Sequence, residues 1–512
     1  MLPGPSPDVS TFDQAAFELF TTDLIEAGYE PAGNDKRMWV GPADSALAGL
    51  TDAEKQRIEI RDGWPYRHPY LYVAGLTGRR HVSASDNVCL WDEDDDSYGW
   101  LRLSQVRERI AAWCADQRTG GTQPVHDAQL YYEGIAGSEL VILDLDTLKE
   151  NPEFVRDGAY ADFRGELINQ AYRLKPGGSV RGVWFRRLTI TAPPTNLTGF
   201  RVLLTPRQQV RFDRLCREVN GARTRLATLL WDEGPVVAMM VIRLRQSDGR
   251  LQTDALEASS DGPSVMALRA GPDATALRGM AVTIFGAGAV GSNLAVVLAK
   301  AGVGRLILVD RARLRPGDVT RHAASPSYVG LPKVEATKQT LLEFRPALDV
   351  EAIQGTAWSQ SDVQALLVGS DLAIDATGNR AYVDMLSDMA QRMAPPCRLM
   401  TAALYLGGAV AAIRVQVADS ASIRGGVSTD WLRALSAQVA ETPPEQWEPG
   451  CGSPVNNAPP WAVLAAASLA AQTAADILTG RFTEDLDLIE VYTPLDSPPL
   501  NVRGVHVFRL DN

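Results

Sequence analysis

The stretch MAVTIF-GAGAVG-SNLAVVLAKA, residues 280–301, decides the fold of the C-terminal half of the chain. Its first six residues form an apolar run that predicts a buried strand, and its last ten have the apolar spacing of a helix. Between them, Gly286, Gly288 and Gly291 have the spacing GxGxxG. The first glycine permits a tight turn, the second lets the backbone approach a phosphate, and the third lets strand and helix pack closely. The stretch therefore predicts a phosphate-binding turn at the N-terminus of a helix.

The segments after this turn predict strands and helices in alternation. RLILV at 305–309 predicts a second strand that ends in Asp310, a carboxylate placed to hold ribose hydroxyls. Further on we expect a helix after Pro332, a strand near Val350, a helix over 363–367 and a strand over 371–375. This order predicts an α/β fold with a Rossmann-like, doubly wound parallel sheet.

Two cations follow the second strand. Arg321 lies eleven residues beyond Asp310, and Lys333 lies twelve residues beyond Arg321. A GxGxxG turn holds the pyrophosphate of NAD as readily as other phosphates, but a dinucleotide needs no such pair of cations. A triphosphate attacked at its α-phosphorus does need them, because its charge must be neutralised. The pair therefore favours ATP over NAD.

These stretches, together with SDLAIDATGN at 370–379, resemble the ThiF- and MoeB-type adenylating domain of ubiquitin-activating enzymes and sulfur-carrier adenylyltransferases. The resemblance implies catalytic roles for Arg321 and Lys333. It implies an ATP site made of Gly286, Gly288, Gly291, Asp310, Arg321, Lys333 and Asn379. It also implies magnesium. Gly378 stands where the family has its magnesium-binding aspartate, so either Asp375 would have to serve as the ligand or the metal is held by triphosphate and water. Asp318 stands where the family has asparagine.

Cys451 lies in the most loop-like surroundings of the five cysteines. It is flanked by Gly450, Gly452 and nearby prolines, ahead of an alanine-rich helix that begins near Trp461. The same resemblance implies that Cys451 is the thiol that captures the adenylated acyl group as a thioester. Cys397, in an apolar stretch, is expected in the core. The absence of a CxxC pair disfavours a zinc site.

The first 120 residues have the mixed order of an α+β domain. We expect a helix over 11–27 and strands around 38–40, 58–60 and 71–73. WPYRHPYLYV at 64–73, His81 eight residues before Cys89-Leu90, and the later Trp100 resemble the ubiquitin-conjugating fold. The resemblance implies that Cys89 accepts the acyl group from Cys451 and passes it to an amine. His-Val-Ser stands where the family has His-Pro-Asn, so Ser83, Asn87 or a backbone amide would have to stabilise the oxyanion.

The length of the chain and its net charge limit the number of domains and the kinds of partner to expect. Its 512 residues support several cores. We expect a conjugating-like domain over 1–120, an α/β linker or docking domain over 121–265 and the adenylating domain over 266–512. Within the middle domain we expect strands over 180–190, 199–204 and 226–244 and a helix over 206–219. The net charge of -12 opposes nucleic-acid binding, and no stretch has the pattern of a signal or membrane span, so we expect a cytoplasmic protein.

Together, the two resemblances indicate an enzyme that activates and conjugates a ubiquitin-like protein. Its expected partners are a ubiquitin-like protein or a cyclase C-terminal tail, a target lysine, and a second copy of the chain bound through the adenylating domain. Such fusions resemble conjugating and activating proteins of bacterial antiphage operons. Two alternatives stay open. One is a sulfur-carrier adenylyltransferase in which Cys451 handles persulfide, and the other is a nucleotide-sensing scaffold with both thiols inert.

Overall fold

The computed structural model divides the chain into two compact units, Met1–Pro263 and Ser264–Asn512. It describes residues 13–33, 36–92, 95–120, 128–219, 224–234, 236–357, 360–393, 397–416, 457–496 and 498–509. The first unit contains a small helix-and-sheet part and a barrel, and the second contains one large sheet with helices.

The first unit begins with a helix, an antiparallel meander and a second helix. Helix α1 (Gln14–Glu26) starts at Asp13, whose side chain accepts a hydrogen bond from the Ala16 N–H and so caps the helix. The strands that follow pair in chain order: β1 (Glu30–Pro31), β2 (Met38–Pro42), β3 (Lys55–Glu59), β4 (Tyr70–Tyr72) and β5 (Asn87–Val88). Helix α2 (Leu103–Arg118) completes this part, and both helices share one core with the meander. Cys89 directly follows the last of these strands.

The remainder of the first unit is a closed β-barrel. Its described strands are β6 (Ile135–Ile142), β7 (Tyr160–Ile168), β8 (Ala171–Leu174), β9 (Val180–Arg186), β10 (Arg225–Glu233), β11 (Val236–Ser247) and β12 (Arg250–Ser259). They close in the order β10-β11-β12-β6-β8-β7-β9. The helices of this part are α3 (Leu145–Lys149), α4 (Leu197–Leu203) and α5 (Pro206–Arg217). Phe200 and Phe212 stack with ring centroids 5.2 Å apart, which joins α4 and α5 to the barrel core.

One element of the barrel region differs from the sequence prediction. The predicted strand over 199–204 was wrong, because helix α4 occupies most of that stretch. The Asn196 side chain accepts a hydrogen bond from the Gly199 N–H at 2.8 Å and caps the helix. Phe200 and Leu204, four residues apart, are both buried. This spacing places them on one face of a helical turn.

The second unit is built on one mixed sheet. Its strands are β13 (Ala281–Phe285), β14 (Arg305–Asp310), β15 (Asp349–Gln354), β16 (Leu372–Asp375), β17 (Leu399–Tyr405), β18 (Val410–Gln416), β19 (Leu486–Val491) and β20 (Gly504–Arg509). They lie in the order β15-β14-β13-β16-β17-β18-β19-β20. Pairing is parallel from β15 to β17 and antiparallel from β17 to β20. The sequence predicts the parallel part, whereas the antiparallel extension emerges only in the structure.

Helices pack on both faces of this sheet. The helices from Pro263 onward are α6 (Pro263–Arg269), α7 (Ala274–Leu277), α8 (Ala289–Ala301), α9 (Lys333–Phe344), α10 (Gln360–Val368), α11 (Arg380–Arg392) and α12 (Pro460–Leu478), of which α6 has no buried residue. Val282 and Ile284 of β13 share a core with Leu294 of α8, whereas Phe285 packs with Leu386 of α11. Because β13 is covered on both faces, its sequence is a continuous apolar run rather than an alternating one.

Helix α12 is long and apolar enough, by length and composition alone, to cross a membrane, and it is the one such helix in the part of the chain that the structure describes. More than half of its apolar window is buried within the protein. Ala467, Ala470 and Ala474 pack into the same core as α8. The helix therefore serves as a core element of the second unit.

Candidate active site

A cleft of about 260 Å³ lies at the carboxyl ends of β13 and β16. Strand β13 pairs with β14 on one side and with β16 on the other, so the strand order reverses between β13 and β16. Parallel α/β sheets bind ligands at such a reversal. The residues that line the cleft include Gly288, Ala289, Arg321, Lys333, Thr377 and Gly378.

The three glycines of the turn between β13 and α8 have different local surroundings. Gly286 has φ +92°, and a Cβ on it would lie 2.8 Å from the backbone of Ala376. A Cβ on Gly291 would lie 1.8 Å from the carbonyl oxygen of Gly286. A Cβ on Gly288 would meet no protein atom within 4 Å. Gly286 and Gly291 therefore serve packing, whereas Gly288 leaves open space beside the backbone at the start of α8, where an anion is favoured.

Arg321 and Lys333 line the same cleft, although twelve residues separate them. The Arg321 guanidinium donates to the carbonyl of Ala458 at 3.2 Å. The Asn293 side chain donates to the carbonyl of Arg321 at 2.8 Å, and this bond ties the arginine segment to helix α8. Sequence reasoning missed Asn293, because its role depends on a contact between residues 28 positions apart.

Asp318 is the acidic group in the cleft. One carboxylate oxygen accepts from the Lys333 ammonium at 3.0 Å, and the other accepts from the Arg315 N–H at 2.9 Å. The residue noted in the sequence as a departure from the adenylating family is therefore the ion-pair partner of the second cation. The acidic and basic side chains lining the cleft are two cations and one carboxylate, which leaves a net positive charge.

Asp310 lies at the end of β14, with its carboxylate held by backbone amides. The Ala287 N–H donates to one oxygen at 2.8 Å and the Ala312 N–H to the other at 2.7 Å. These bonds fix the carboxylate beside the glycine turn, and each oxygen keeps lone-pair capacity for a further donor. The ribose role predicted for Asp310 stays a prediction.

His322 is a site residue that the sequence prediction did not include. Its Nδ1 accepts from the Ala324 N–H at 3.0 Å. Its Nε2 therefore carries the proton and donates to the carbonyl of Ala287 at 2.8 Å. Burial lowers the pKa of His322, which keeps the ring neutral. The neutral ring holds the glycine turn in place from the side of the arginine segment.

Asp375 and Asn379 are not among the residues that line the cleft with Arg321 and Lys333. The Asp375 side chain is 2% exposed, the Thr377 hydroxyl donates to it at 2.8 Å, and burial raises its pKa to about 6. Asn379 is exposed and caps α11 by accepting from the Tyr382 N–H at 3.2 Å. Among the described residues, no group of three or more His, Cys, Asp or Glu could hold a metal ion. The magnesium role of Asp375 stays a prediction.

Cys89 lies in the first unit, at the end of β5. Its thiol is exposed, and its N–H donates to the carbonyl of His81 at 2.8 Å. His81 has φ +60°, and Val82 forms an antiparallel bridge with Val88. The predicted pair of His81 and Cys89 is therefore adjacent in space as well as in the motif.

The other cysteines have different surroundings. Cys114 is buried, and Cys216 and Cys397 are half-buried. Burial raises the pKa of Cys216 and of Cys397 to about 11. Cys89 is thus the exposed cysteine among those that the structure describes, whereas Cys451 lies outside the described residues.

The second unit of the chain is similar to a known protein family. Residues 265–511 match the ThiF family. The matched residues, called the ThiF-type domain below, include the glycine turn and the residues that line the cleft. Protein HesA of Nostoc sp. is 35% identical over 121 residues, which are 23% of this chain and 48% of HesA. The chain therefore spans about half the length of this relative.

Two further similarities are to a modifier-activating enzyme and to a solved structure. Ubiquitin-like modifier-activating enzyme 5 of Caenorhabditis elegans is 36% identical over 75 residues, 15% of this chain and 18% of that enzyme. The solved structure of E. coli MccB with ATP is 16% identical, with a TM-score of 0.35, and covers 46% of this chain and 65% of MccB.

Proposed function

We propose that the ThiF-type domain adenylates a carboxylate at the expense of ATP. The observation that carries this proposal is the convergence of Gly288, Arg321 and Lys333 on one cleft at the N-terminus of α8. The N-terminus of a helix favours an anion, and the open space beside Gly288 lets a phosphate come close to the backbone. The two cations can neutralise the charge of a triphosphate. The match of residues 265–511 to the ThiF family supports the same reaction class.

In the adenylation step a bond forms at the α-phosphorus of ATP while pyrophosphate leaves. A carboxylate oxygen of the substrate attacks the α-phosphorus, an O–P bond forms, and the bond to pyrophosphate breaks. Negative charge moves onto pyrophosphate during this step, and Arg321 and Lys333 stabilise it. Asp318 keeps the Lys333 ammonium in place before ATP arrives. The product is an acyl adenylate, an activated form that a thiolate can attack.

The same proposal includes a relay of the acyl group between thiols. The Cys451 thiolate attacks the acyl carbon and releases AMP, and the Cys89 thiolate then takes the acyl group from Cys451. An amine, the lysine of a target protein, attacks the second thioester and forms an isopeptide bond. The exposure of Cys89 and its pairing with His81 support its role as acceptor. The relative named as a ubiquitin-like modifier-activating enzyme supports a ubiquitin-like tail as the substrate.

Intact mass spectrometry of a Cys89→Ser variant tests the relay. The full chain is expressed with its neighbouring genes, because they are the source of candidate tail proteins. Serine converts a labile thioester into an oxyester that survives thiols, so we expect an added mass of one small protein on the variant. The adduct should be lost when Cys451→Ser or Arg321→Ala is added. Cys216→Ser, at a half-buried thiol, is the matched control and should leave the adduct intact.

ATP binding tests the first step separately. Calorimetric titration of the full chain with magnesium-ATP should show binding that Arg321→Ala weakens. Arg313→Ala is the control, since Arg313 lies on the same segment and donates to the carbonyl of Gly330 without lining the cleft. ATP consumption without any adduct on the Cys89→Ser variant would refute the relay and favour the sulfur-carrier alternative. Absence of ATP binding would refute adenylation itself.

A further inference from the structure

The segment that precedes Cys89 is held by the barrel of the same unit. The Arg80 guanidinium is paired with the carboxylate of Glu233 on β10, which is 6% exposed. The Trp231 indole N–H donates to the other oxygen of Glu233 at 2.7 Å. Trp231 lies in the barrel core, so this ion pair joins the segment to the barrel.

The short helical turn Ala128–Tyr131 bonds to the backbone of the same segment. The His81 N–H donates to the hydroxyl oxygen of Tyr131 at 2.6 Å. Three residues further on, the Ala84 N–H donates to the carbonyl of Leu130 at 3.2 Å. Tyr131 is 4% exposed and belongs to the barrel core. The barrel therefore holds the segment at its backbone as well as at a side chain.

The Tyr131 hydroxyl replaces one bond of a β-ladder. The Cys89 N–H donates to the carbonyl of His81 at 2.8 Å, and Val82 forms an antiparallel bridge with Val88. In a regular antiparallel pair, the His81 N–H would donate back to the carbonyl of Cys89. It donates to Tyr131 instead. The barrel thus supplies the hydrogen bond with which this ladder ends, beside the thiol.

His81 has a backbone conformation that needs such support. Its φ of +60° lies in the left-handed region, which is uncommon for a residue with a Cβ. A conformation of this kind persists where the surrounding bonds determine it. Here the N–H of His81 is bonded to Tyr131, and its carbonyl is bonded to Cys89. One strained residue therefore connects the barrel to the backbone of the exposed thiol.

We propose that Tyr131 is a positioning residue for Cys89. Through the backbone of His81 it fixes the direction in which a thioester on Cys89 is presented to an amine. This inference rests on the proposed function for its effect on transfer, whereas the support of His81 does not depend on that function. It gives the region between the conjugating-like part and the ThiF-type domain a role in the relay.

The step concerned is the attack of an amine on the Cys89 thioester. The amine nitrogen attacks the thioester carbon, a C–N bond forms, and the C–S bond breaks with its electron pair on sulfur. The proton lost by the amine passes to water, so Tyr131 neither gives nor takes a proton. Its effect is geometric, because attack requires the acyl carbon to face the amine within a narrow range of distances and directions.

Amide hydrogen exchange of the full chain tests the support of the backbone without any protein substrate. Exchange is followed at single residues by mass spectrometry with electron-transfer fragmentation. Tyr131→Phe keeps the ring but removes the acceptor, so exchange at the His81 and Cys89 amides should become about tenfold faster or more. Tyr132→Phe is the matched control, since Tyr132 is the neighbouring buried tyrosine and its hydroxyl bonds to Thr253 at 2.8 Å. It should leave both amides at the parental rate.

A second measurement keeps the test independent of global stability. Each variant loses one buried hydroxyl, so calorimetry of the full chain should show similar losses in Tm. A local effect at the two amides then distinguishes the variants, whereas a general loosening would not. Unchanged exchange in Tyr131→Phe would overturn the inference, as would an equal acceleration in Tyr132→Phe.

The kinetics of transfer test the positioning itself. When the relay operates, Tyr131→Phe should lower kcat for discharge of the Cys89 thioester to a lysine amine about tenfold. The KM for the amine should stay unchanged, because the amine binds as before but meets a misdirected acyl carbon. Alkylation of Cys89 by iodoacetamide needs no such direction and should stay within about twofold of the parent rate. A raised KM with an unchanged kcat would contradict the positioning role.

Two outcomes separate this inference from the proposed function. Faster exchange in a chain that forms no adduct on Cys89 would refute the relay, and the positioning role with it, and leave only the structural support of His81. Faster exchange together with discharge at the parental rate would overturn the positioning role of Tyr131 and leave the relay standing.

Discussion

Two glycines of the same turn should respond to alanine in opposite ways. At Gly291 the added Cβ would lie 1.8 Å from the carbonyl oxygen of Gly286, about half of an ordinary contact distance. That oxygen belongs to a residue with φ +92°, in a turn packed against Ala376, so neither side has room to move. At Gly288 the φ is −79° and a Cβ meets nothing within 4 Å. Gly291→Ala should therefore disturb the fold, and Gly288→Ala should disturb the ligand.

The expected magnitudes differ accordingly. Overpacking at a site that cannot relax costs about 3 kcal/mol, at the upper end of the usual range. For a unit of this size, that corresponds to a drop in Tm of about 6–12 °C. Gly288→Ala should cost less than about 1 kcal/mol, because it only replaces glycine at a helix N-cap. Its methyl group occupies the space beside the start of α8, so ATP affinity should fall by about tenfold or more.

Calorimetry on the full chain measures both effects. The transition of the ThiF-type domain is the one that ATP raises in the parent chain. Gly291→Ala should lower that transition in the absence of ATP, and Gly288→Ala should leave it in place but reduce the rise that ATP causes. The reasoning fails if Gly291→Ala melts within a degree of the parent chain, or if Gly288→Ala binds ATP with unchanged affinity.

Three further changes probe the charges and thiols of the chain. Asp318→Asn removes the negative charge from the cleft but keeps an oxygen that can accept from the Arg315 N–H. ATP binding should therefore become about threefold tighter in a titration. Weaker binding would contradict this electrostatic argument. Burial raises the pKa of Asp375 from 3.8 to about 6. The fold therefore favours the neutral carboxyl, and that stability is complete below pH 3.8 and lost as pH rises through about 6. Asp375→Asn should stabilise the chain by about 3 kcal/mol in urea unfolding at pH 7.5 and have little effect near pH 4. At pH 8 iodoacetamide should label Cys89 well before Cys216 or Cys397, because pKa values of about 11 leave only about 0.1% of those two thiols as thiolate. Peptide mapping measures the labelling rate of each cysteine, and equal rates would contradict the prediction.

The part of the fold that the sequence predicts is the part that local spacing encodes. The strand, turn and helix over 280–301 and the strand that ends at Asp310 appear where the apolar pattern and the glycines place them. Residues 199–204 were predicted as a strand, whereas most of them lie in the short helix Leu197–Leu203, because a short apolar run is compatible with both the strand period and the helix period. The polar cap at Asn196 is the signal that could have decided it.

In the candidate site, too, local spacing predicts some features and long-range folding sets the others. Gly288, Arg321 and Lys333 were predicted from motif spacing, and the structure brings them to one cleft. The partner of Lys333, by contrast, is set by folding, since Asp318 reaches it across fifteen positions. Tyr131 lies fifty positions from His81 and in a different part of the first unit. A hydrogen bond at that range depends on how a barrel packs on a meander, and no short motif records it.

The ion pair between Arg80 and Glu233 has an evolutionary consequence. Breaking such a pair by removing one member leaves a buried charge alone and costs about 3–5 kcal/mol. A gene that exchanged its first 120 codons for those of a relative would therefore need to import a matching arginine, or lose the acid from the barrel at the same time. The two parts are expected to be inherited together, and their boundary should be a poor point for recombination. Lineages that carry this barrel should keep or replace both residues as a pair.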